Sequence, residues 1–120
     1  MVIDSSVWLE IFLAGAKQNK CEELLKREPI YVPSLVIFEL YKKIKMKVTE
    51  DVALECISHL SQYQVVDLTR EVSLHAADLA IEFQLSMADS IVLAHSRLLH
   101  CPLATLDNDF AKIPNVQIIR

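Results

Sequence analysis

The sequence predicts an α/β fold with a central, mostly parallel sheet, and three observations predict it. Short apolar runs such as Met1-Val2-Ile3 and Leu103-Ala104-Thr105 alternate with longer segments in which apolar residues recur at helical spacing, the pattern of strand–helix units. The four prolines and the helix-start residues Ser34, Thr49, Thr69 and Ser86 fall at the junctions of those segments, where the chain must change conformation. No repeat, low-complexity stretch or flexible linker interrupts the alternation, and 120 residues suit one compact domain over 1–120.

Met1 to Ile3 reads as the first strand, running into Asp4-Ser5-Ser6 and a helix with Trp8, Ile11 and Phe12 on one face, which should end at the only glycine, Gly15. Cys21 to Arg27 reads as a second helix, and Pro29 stops it before a strand at Ile30-Tyr31-Val32. Pro33-Ser34 opens a helix to about Lys47, and Thr49 caps another with Ala53, Cys56, Ile57 and Leu60 facing inward, making a helical hairpin. Val65-Val66 is the third strand. Thr69 caps a helix that buries Val72, Ala76, Leu79, Ala80 and Phe83, and Ser86 starts the next, with a stripe of Met87, Ile91, Ala94 and Leu98. Leu103 to Thr105 and Val116 to Ile119 are the fourth and fifth strands.

Composition narrows the function. Twelve Lys and Arg against 16 Asp and Glu give a net charge of −4, so bulk charge alone does not suggest a nucleic-acid binder. The charge is uneven, however: residues 1–47 carry eight bases and six acids, residues 48–120 four bases and ten acids. The three cysteines are odd in number and form no C-x-x-C pair, which argues against a disulfide framework and for a reducing compartment. No apolar run approaches the ~18 residues of a membrane span, and the start lacks the basic region of a secretory signal, so the expectation is a cytoplasmic protein with no membrane partner. One glycine excludes the glycine-rich dinucleotide and phosphate loops.

In an open parallel sheet, functional groups collect at the carboxyl edge, where strands end and helices begin. Five acids fall there: Asp4 after the first strand, Glu39 in the second turn of the helix after the second, Asp89 in the first turn of the helix from Ser86, and Asp107 and Asp109 after the fourth strand. Each also suits a structural role. Asp4 can cap a helix, Asp89 completes a Ser86-x-x-Asp89 capping box, Glu39 can pair with Lys43, and Asp107-Asn108-Asp109 has turn composition. Glu39 resists its structural role most, because Val36, Ile37, Phe38 and Leu40 surround it and a buried lone carboxylate is costly. Carboxylates meeting at one rim repel unless a cation compensates, and an all-oxygen set selects Mg²⁺ or Mn²⁺. Zinc is not expected, since His95, His100 and Cys101 have no second ligand pair at suitable spacing. Ser5 and Ser6 lack a nucleophile elbow and read as capping or ligand-supporting residues.

The strand into Asp4-Ser5-Ser6-Val7, Val32-Pro33-Ser34 followed by Glu39-Leu40, Ala88 to Ala94 around Asp89, and Thr105-Leu106-Asp107-Asn108-Asp109-Phe110 span nearly the whole chain. In their order and spacing the sequence resembles the PIN-domain nucleases, particularly the short VapC-type toxins. The resemblance implies a three-layer α/β/α sandwich with strand order about 3-2-1-4-5 and a metal-dependent endoribonuclease, the toxin of a type II toxin–antitoxin pair. By position, Asp4, Glu39 and Asp89 match the three main acidic residues, Asp107 the fourth and Asp109 a more variable acid, with Thr105 a supporting hydroxyl. Asp4, Glu39, Asp89 and Asp107 are thus the expected catalytic set, Asp4, Asp89, Asp107 and Asp109 the expected metal ligands, and Ser6 and Thr105 their support. Gln84 stands where such proteins often turn on glycine, and Ala88 replaces a bulkier residue before the third acid.

Lys42, Lys43, Lys45 and Lys47 follow Glu39 on the same helix, and Lys43 and Lys47 continue its face. Cations there offset the helix dipole, and Lys42, Lys43 and Lys47 are also the expected phosphate contacts for RNA. No base-stacking role is assigned to Trp8, Phe12, Phe38 or Tyr41, whose placement suits core or interface. The expected partners are an RNA substrate, a cognate antitoxin and a second copy of the chain, for which the hairpin from Ser34 to Leu60 offers a surface. The alternatives are an RNA-processing nuclease outside a toxin–antitoxin system and a non-catalytic RNA-binding or scaffold module. A phosphotransfer enzyme with Asp4 as nucleophile lacks its second acid two residues on.

Overall fold

A computed structural model describes residues 1–27 and 29–120. In chain order the elements are β1 (Val2–Ile3), α1 (Ser5–Phe12), α2 (Gln18–Leu24), β2 (Tyr31–Pro33), α3 (Ser34–Lys47), α4 (Glu50–Leu60), β3 (Gln64–Val66), α5 (Arg70–Phe83), α6 (Met87–Leu98), β4 (Leu103–Thr105) and β5 (Val116–Ile118), with a 3-10 turn at Asn108–Phe110. The sheet is parallel throughout in the order β3-β2-β1-β4-β5, as expected, and helices cover it to give the three-layer α/β/α sandwich.

The order fixes the site. From β1 the chain winds outward to β2 and β3, then returns past α5 and α6 to lay β4 on the other side of β1. The strand order therefore reverses between β1 and β4, and a crevice opens at the carboxyl ends of these two strands. Val2 pairs with Leu103 and Ile3 with Ala104, and the Asp4 N–H extends the ladder by donating to the Ala104 carbonyl at 3.0 Å. Asp4 and Thr105 are thereby held side by side at the crevice.

Burial explains why so short a sheet holds. Val2, Ile3, Val32, Leu103 and Ala104 are fully enclosed, as strands covered on both faces should be. On α3 the residues Val36, Leu40 and Ile44 face the core at i, i+4, i+8, and α6 is buried without a break from Ser90 to Ser96. Each fully buried Leu or Ile contributes roughly 1.5–3 kcal/mol relative to exposure. Thr49 and Thr69 accept hydrogen bonds from the N–H groups of Val52 and Val72, and Ser86 from that of Asp89, which are the predicted caps. The cysteines are free, and among the described residues no helix is long and apolar enough to cross a membrane.

Several boundaries and faces differ from the sequence reading. Helix α1 ends at Phe12, not at Gly15; the left-handed residue is Ala14, with φ 51°, and Gly15 follows it. What Gly15 provides is room, because a Cβ there would collide with the Glu10 carboxylate, which accepts the Lys17 N–H at 2.9 Å. Helix α2 starts at Gln18 and ends at Leu24 rather than running from Cys21 to Arg27, and β2 is shifted one residue onward. Met87, expected in the buried stripe of α6, is 74% exposed, whereas Ile91 and Ala94 of the same stripe are buried.

Candidate metal centre and active site

Asp4 is the most enclosed of the five acids, at 6% exposure. Its Oδ1 accepts the Ser5 N–H at 2.8 Å, while Oδ2 accepts the hydroxyls of Ser6 at 2.9 Å and Thr105 at 2.8 Å. Each hydroxyl is itself held from behind: the Leu106 N–H donates to Ser6 Oγ at 3.1 Å and the Asp107 N–H to Thr105 Oγ1 at 3.0 Å. With both hydroxyl protons directed at Oδ2, the arrangement suits an ionised carboxylate. Burial nevertheless raises the Asp4 pKa, outweighing these three bonds, and the Asp107 charge adds to the rise.

Asp89, Asp107 and Asp109 each offer a carboxylate oxygen, and the three oxygens lie within 4.8 Å of one another. Their positions follow from local structure. Asp89 sits in the first turn of α6, fixed by its N–H to the Ser86 hydroxyl; Asp107 caps the turn after β4 by accepting the Asp109 N–H at 2.8 Å. The structural roles expected of these residues are therefore real and coexist with the cluster. Burial and then the charges of Asp107 and Asp4 push the Asp89 pKa up to about 6. Asp4 is not part of that tight triad, although its charge reaches both Asp89 and Glu39.

Glu39 approaches from α3 on the opposite side. Burial raises its pKa, the charges of Asp4 and Asp89 raise it further, and Ser5 and Lys43 act against the rise. Lys43 closes no salt bridge with it; the ion pairs among the described residues are Lys26–Glu23 and Lys45–Glu50. Asp4, Glu39, Asp89 and Asp107 line one cavity of about 390 Å³, with Ser5, Ser6, Glu10 and Lys43. The donors are all oxygen, partly or fully buried and mutually repelling, which fits a hard divalent cation and no soft one. His95 is enclosed inside α6, where burial lowers its pKa, and among the described residues it belongs to no group of potential metal ligands.

Of the predicted lysines, Lys43 lines this cavity, and Lys42, Lys43 and Lys47 line a second one of about 370 Å³ that shares Ser5, Leu9, Glu39 and Lys43 with the first. Lys45 turns away, 3.5 Å from Glu50 and over the Tyr41 ring. Ser5, read from the sequence as a capping or ligand-supporting residue, lies beside Glu39, whereas Glu10 at the rim was missed. Glu10 had no local signal. Phe38, expected in core or interface, is 61% exposed.

The PIN domain family profile matches residues 1–116. No curated protein matches significantly. Solved structures do. A toxin–antitoxin complex from Klebsiella pneumoniae superposes with a TM-score of 0.82 at 21% identity, covering 96% of this chain and 93% of its own. The sarcin-ricin-loop-cleaving toxin VapC20 of Mycobacterium tuberculosis gives 0.81 at 17% identity, over 98% and 97%. VapBC2 of Rickettsia felis, bound to a promoter DNA fragment, gives 0.78 at 17% identity, over 98% and 96%. At such identities the likeness is one of fold. With a family profile that spans all but the last four residues, the chain belongs to the PIN domain family.

Proposed function

We propose that residues 1–120 form a Mg²⁺- or Mn²⁺-dependent endoribonuclease domain, the toxin of a type II toxin–antitoxin pair that also forms a homodimer. The observation that carries the proposal is the convergence of Asp4, Glu39, Asp89, Asp107 and Asp109 on one crevice, with the pKa of Asp89 pushed to about 6 by burial and its acidic neighbours. A scaffold has no physical use for such repulsion. The Klebsiella toxin–antitoxin complex and the VapC20 toxin that superpose on the chain support the toxin reading.

Asp89, Asp107 and Asp109 would hold the ion, with Asp4 completing the set from β1. When bound, a divalent ion supplies charge neutralisation at the phosphate and a lowered pKa for an attacking water. The protein's own residues do the rest. Ser6 and Thr105 keep the Asp4 carboxylate in one orientation, which matters because small misplacements cost large factors in rate. Glu39, raised in pKa and facing the cluster from α3, is placed to orient a water or take its proton. Lys43, beside Glu39 at the junction of the two cavities, is placed to hold a phosphate next to the acids.

The test is to incubate the purified protein with a panel of RNAs in Mg²⁺, Mn²⁺ or EDTA, beside Asp4→Asn and Asp89→Asn. Cleavage is expected with metal and only in the wild type. Cleavage that survives EDTA or either substitution rejects the reading.

A further inference from the structure

The cavity beyond Glu39 has a composition that the metal centre does not explain. Phe38 and Met46, about two turns apart on α3, are 61% and 76% exposed, and Leu9 of α1 faces them across the cavity. Lys42, Lys43 and Lys47 surround this apolar floor, and none of the three pairs with an acid among the described residues. The core of α3 is already provided by Val36, Leu40 and Ile44, so folding does not require an apolar ring at position 38. An exposed aromatic ringed by free cations is the combination that single-stranded nucleic acid uses, the ring for a base and the cations for its phosphates.

We propose that this cavity is a nucleotide subsite in which Phe38 stacks on an unpaired base adjoining the scissile phosphate, with Met46 and Leu9 packing its edge and Lys42 and Lys47 on the flanking phosphates. The proposal rests on the nuclease reading and adds to it a residue that selects unpaired RNA. Two features of the cavity favour a nucleotide over a peptide. It opens into the acid-lined cavity through Ser5, Leu9, Glu39 and Lys43, so a base seated here has its phosphate beside the metal ligands. The Lys42 ammonium lies 5.9 Å from the centre of the Phe38 ring, so one nucleotide can satisfy both. Met46, with its flexible thioether, can adapt to purine or pyrimidine.

Binding separates this proposal from the nuclease reading. A ten-nucleotide single-stranded RNA carrying 2-aminopurine at alternate positions would be titrated in EDTA with wild type, Phe38→Ala and Phe38→Trp, each first checked for an unchanged melting temperature. Stacking predicts quenching of 2-aminopurine by the wild type, no quenching and about tenfold weaker binding by Phe38→Ala, and recovery by Phe38→Trp. The same sequence held in a duplex should bind equally to wild type and Phe38→Ala. Quenching and affinity unchanged in Phe38→Ala, or a wild type that does not bind the oligonucleotide, overturns the subsite and leaves the cavity to a peptide partner. Quenching without any metal-dependent cleavage keeps the subsite and rejects the nuclease; cleavage without Phe38-dependent quenching does the reverse.

Discussion

Thr105 is fully buried, and its single hydroxyl does two jobs at once, donating to Asp4 Oδ2 at 2.8 Å and accepting the Asp107 N–H at 3.0 Å. It links the ends of β1 and β4 and, through Asp107, the turn that carries Asp109. Thr105→Val keeps the shape and removes both bonds. Leaving a buried N–H and a buried carboxylate short of partners typically costs about 1–3 kcal/mol, so a melting temperature lowered by several degrees is expected, with Thr105→Ser retaining most of the wild-type value. Cleavage should fall further than stability does, since Asp4 loses one of the two hydroxyls that orient it. Equal activity of Thr105→Val and wild type, measured on the same RNA, would remove Thr105 from the site. The sequence could name Asp4 because it directly follows an apolar run, and strand ends are where such groups gather, whereas Thr105 was implied only by the resemblance to the PIN-domain nucleases. It could not name the order of hydrogen bonds between them, which depends on pairing across 101 positions of chain.

At the scale of elements, the turns were the least legible part of the sequence. The chain takes left-handed conformation at Ala14, Gln84, His100 and Asn115, with φ between 51° and 62°, and never at its one glycine. Only Asn among these residue types is favoured there. A reading that looks for glycine after a helix therefore overran α1, and only the family resemblance marked Gln84 as a glycine-type turn position at the end of α5, where it is the left-handed cap with its N–H donated to the Ala80 carbonyl. Caps at the other end were legible, because Thr49, Thr69 and Ser86 act through their own side chains. The substitution Gln84→Gly is expected to stabilise the protein by about 1 kcal/mol, by removing the Cβ penalty at a position already left-handed. Chemical denaturation would read this as a higher midpoint with unchanged slope. A lower midpoint would mean that the Gln84 side chain contributes contacts worth more than the strain. Gly15→Ala should go the other way, since it displaces the Glu10 carboxylate that clasps the α1–α2 connection.

The whole molecule carries a net charge of −4, which at first argues against a nucleic-acid substrate. Setting aside Asp4, Glu39, Asp89, Asp107 and Asp109 leaves 11 acids against 12 bases, so the acidity is local, concentrated at the crevice between β1 and β4. That concentration has a thermodynamic signature. In the metal-free protein Asp89 has a folded pKa of about 6 against an ordinary 3.8, and Asp4 and Glu39 are raised as well. Between those values the folded chain binds more protons than the unfolded one, so stability falls as pH rises from about 4 through 6. His95, lowered by burial, works in the opposite sense below its ordinary 6.5, and Asp89→Asn separates the two. The variant should melt higher than wild type at pH 7.5 without metal, since it removes one of the repelling charges, and should show a shallower decline between pH 4 and 6. Added Mn²⁺ should reverse the ranking at pH 7.5. At a hundredfold excess over its dissociation constant it stabilises the wild type by ~2.7 kcal/mol, or roughly 10 °C for a domain this small, and leaves Asp89→Asn nearly unmoved. Near pH 4.5, where protons compete for the same carboxylates, the wild-type shift should shrink to a small fraction of that. Calorimetric scans of both proteins at the two pH values, with and without Mn²⁺, decide it: a metal-free Asp89→Asn that melts below wild type at pH 7.5 would mean that the contacts of the Asp89 carboxylate outweigh the repulsion from its acidic neighbours.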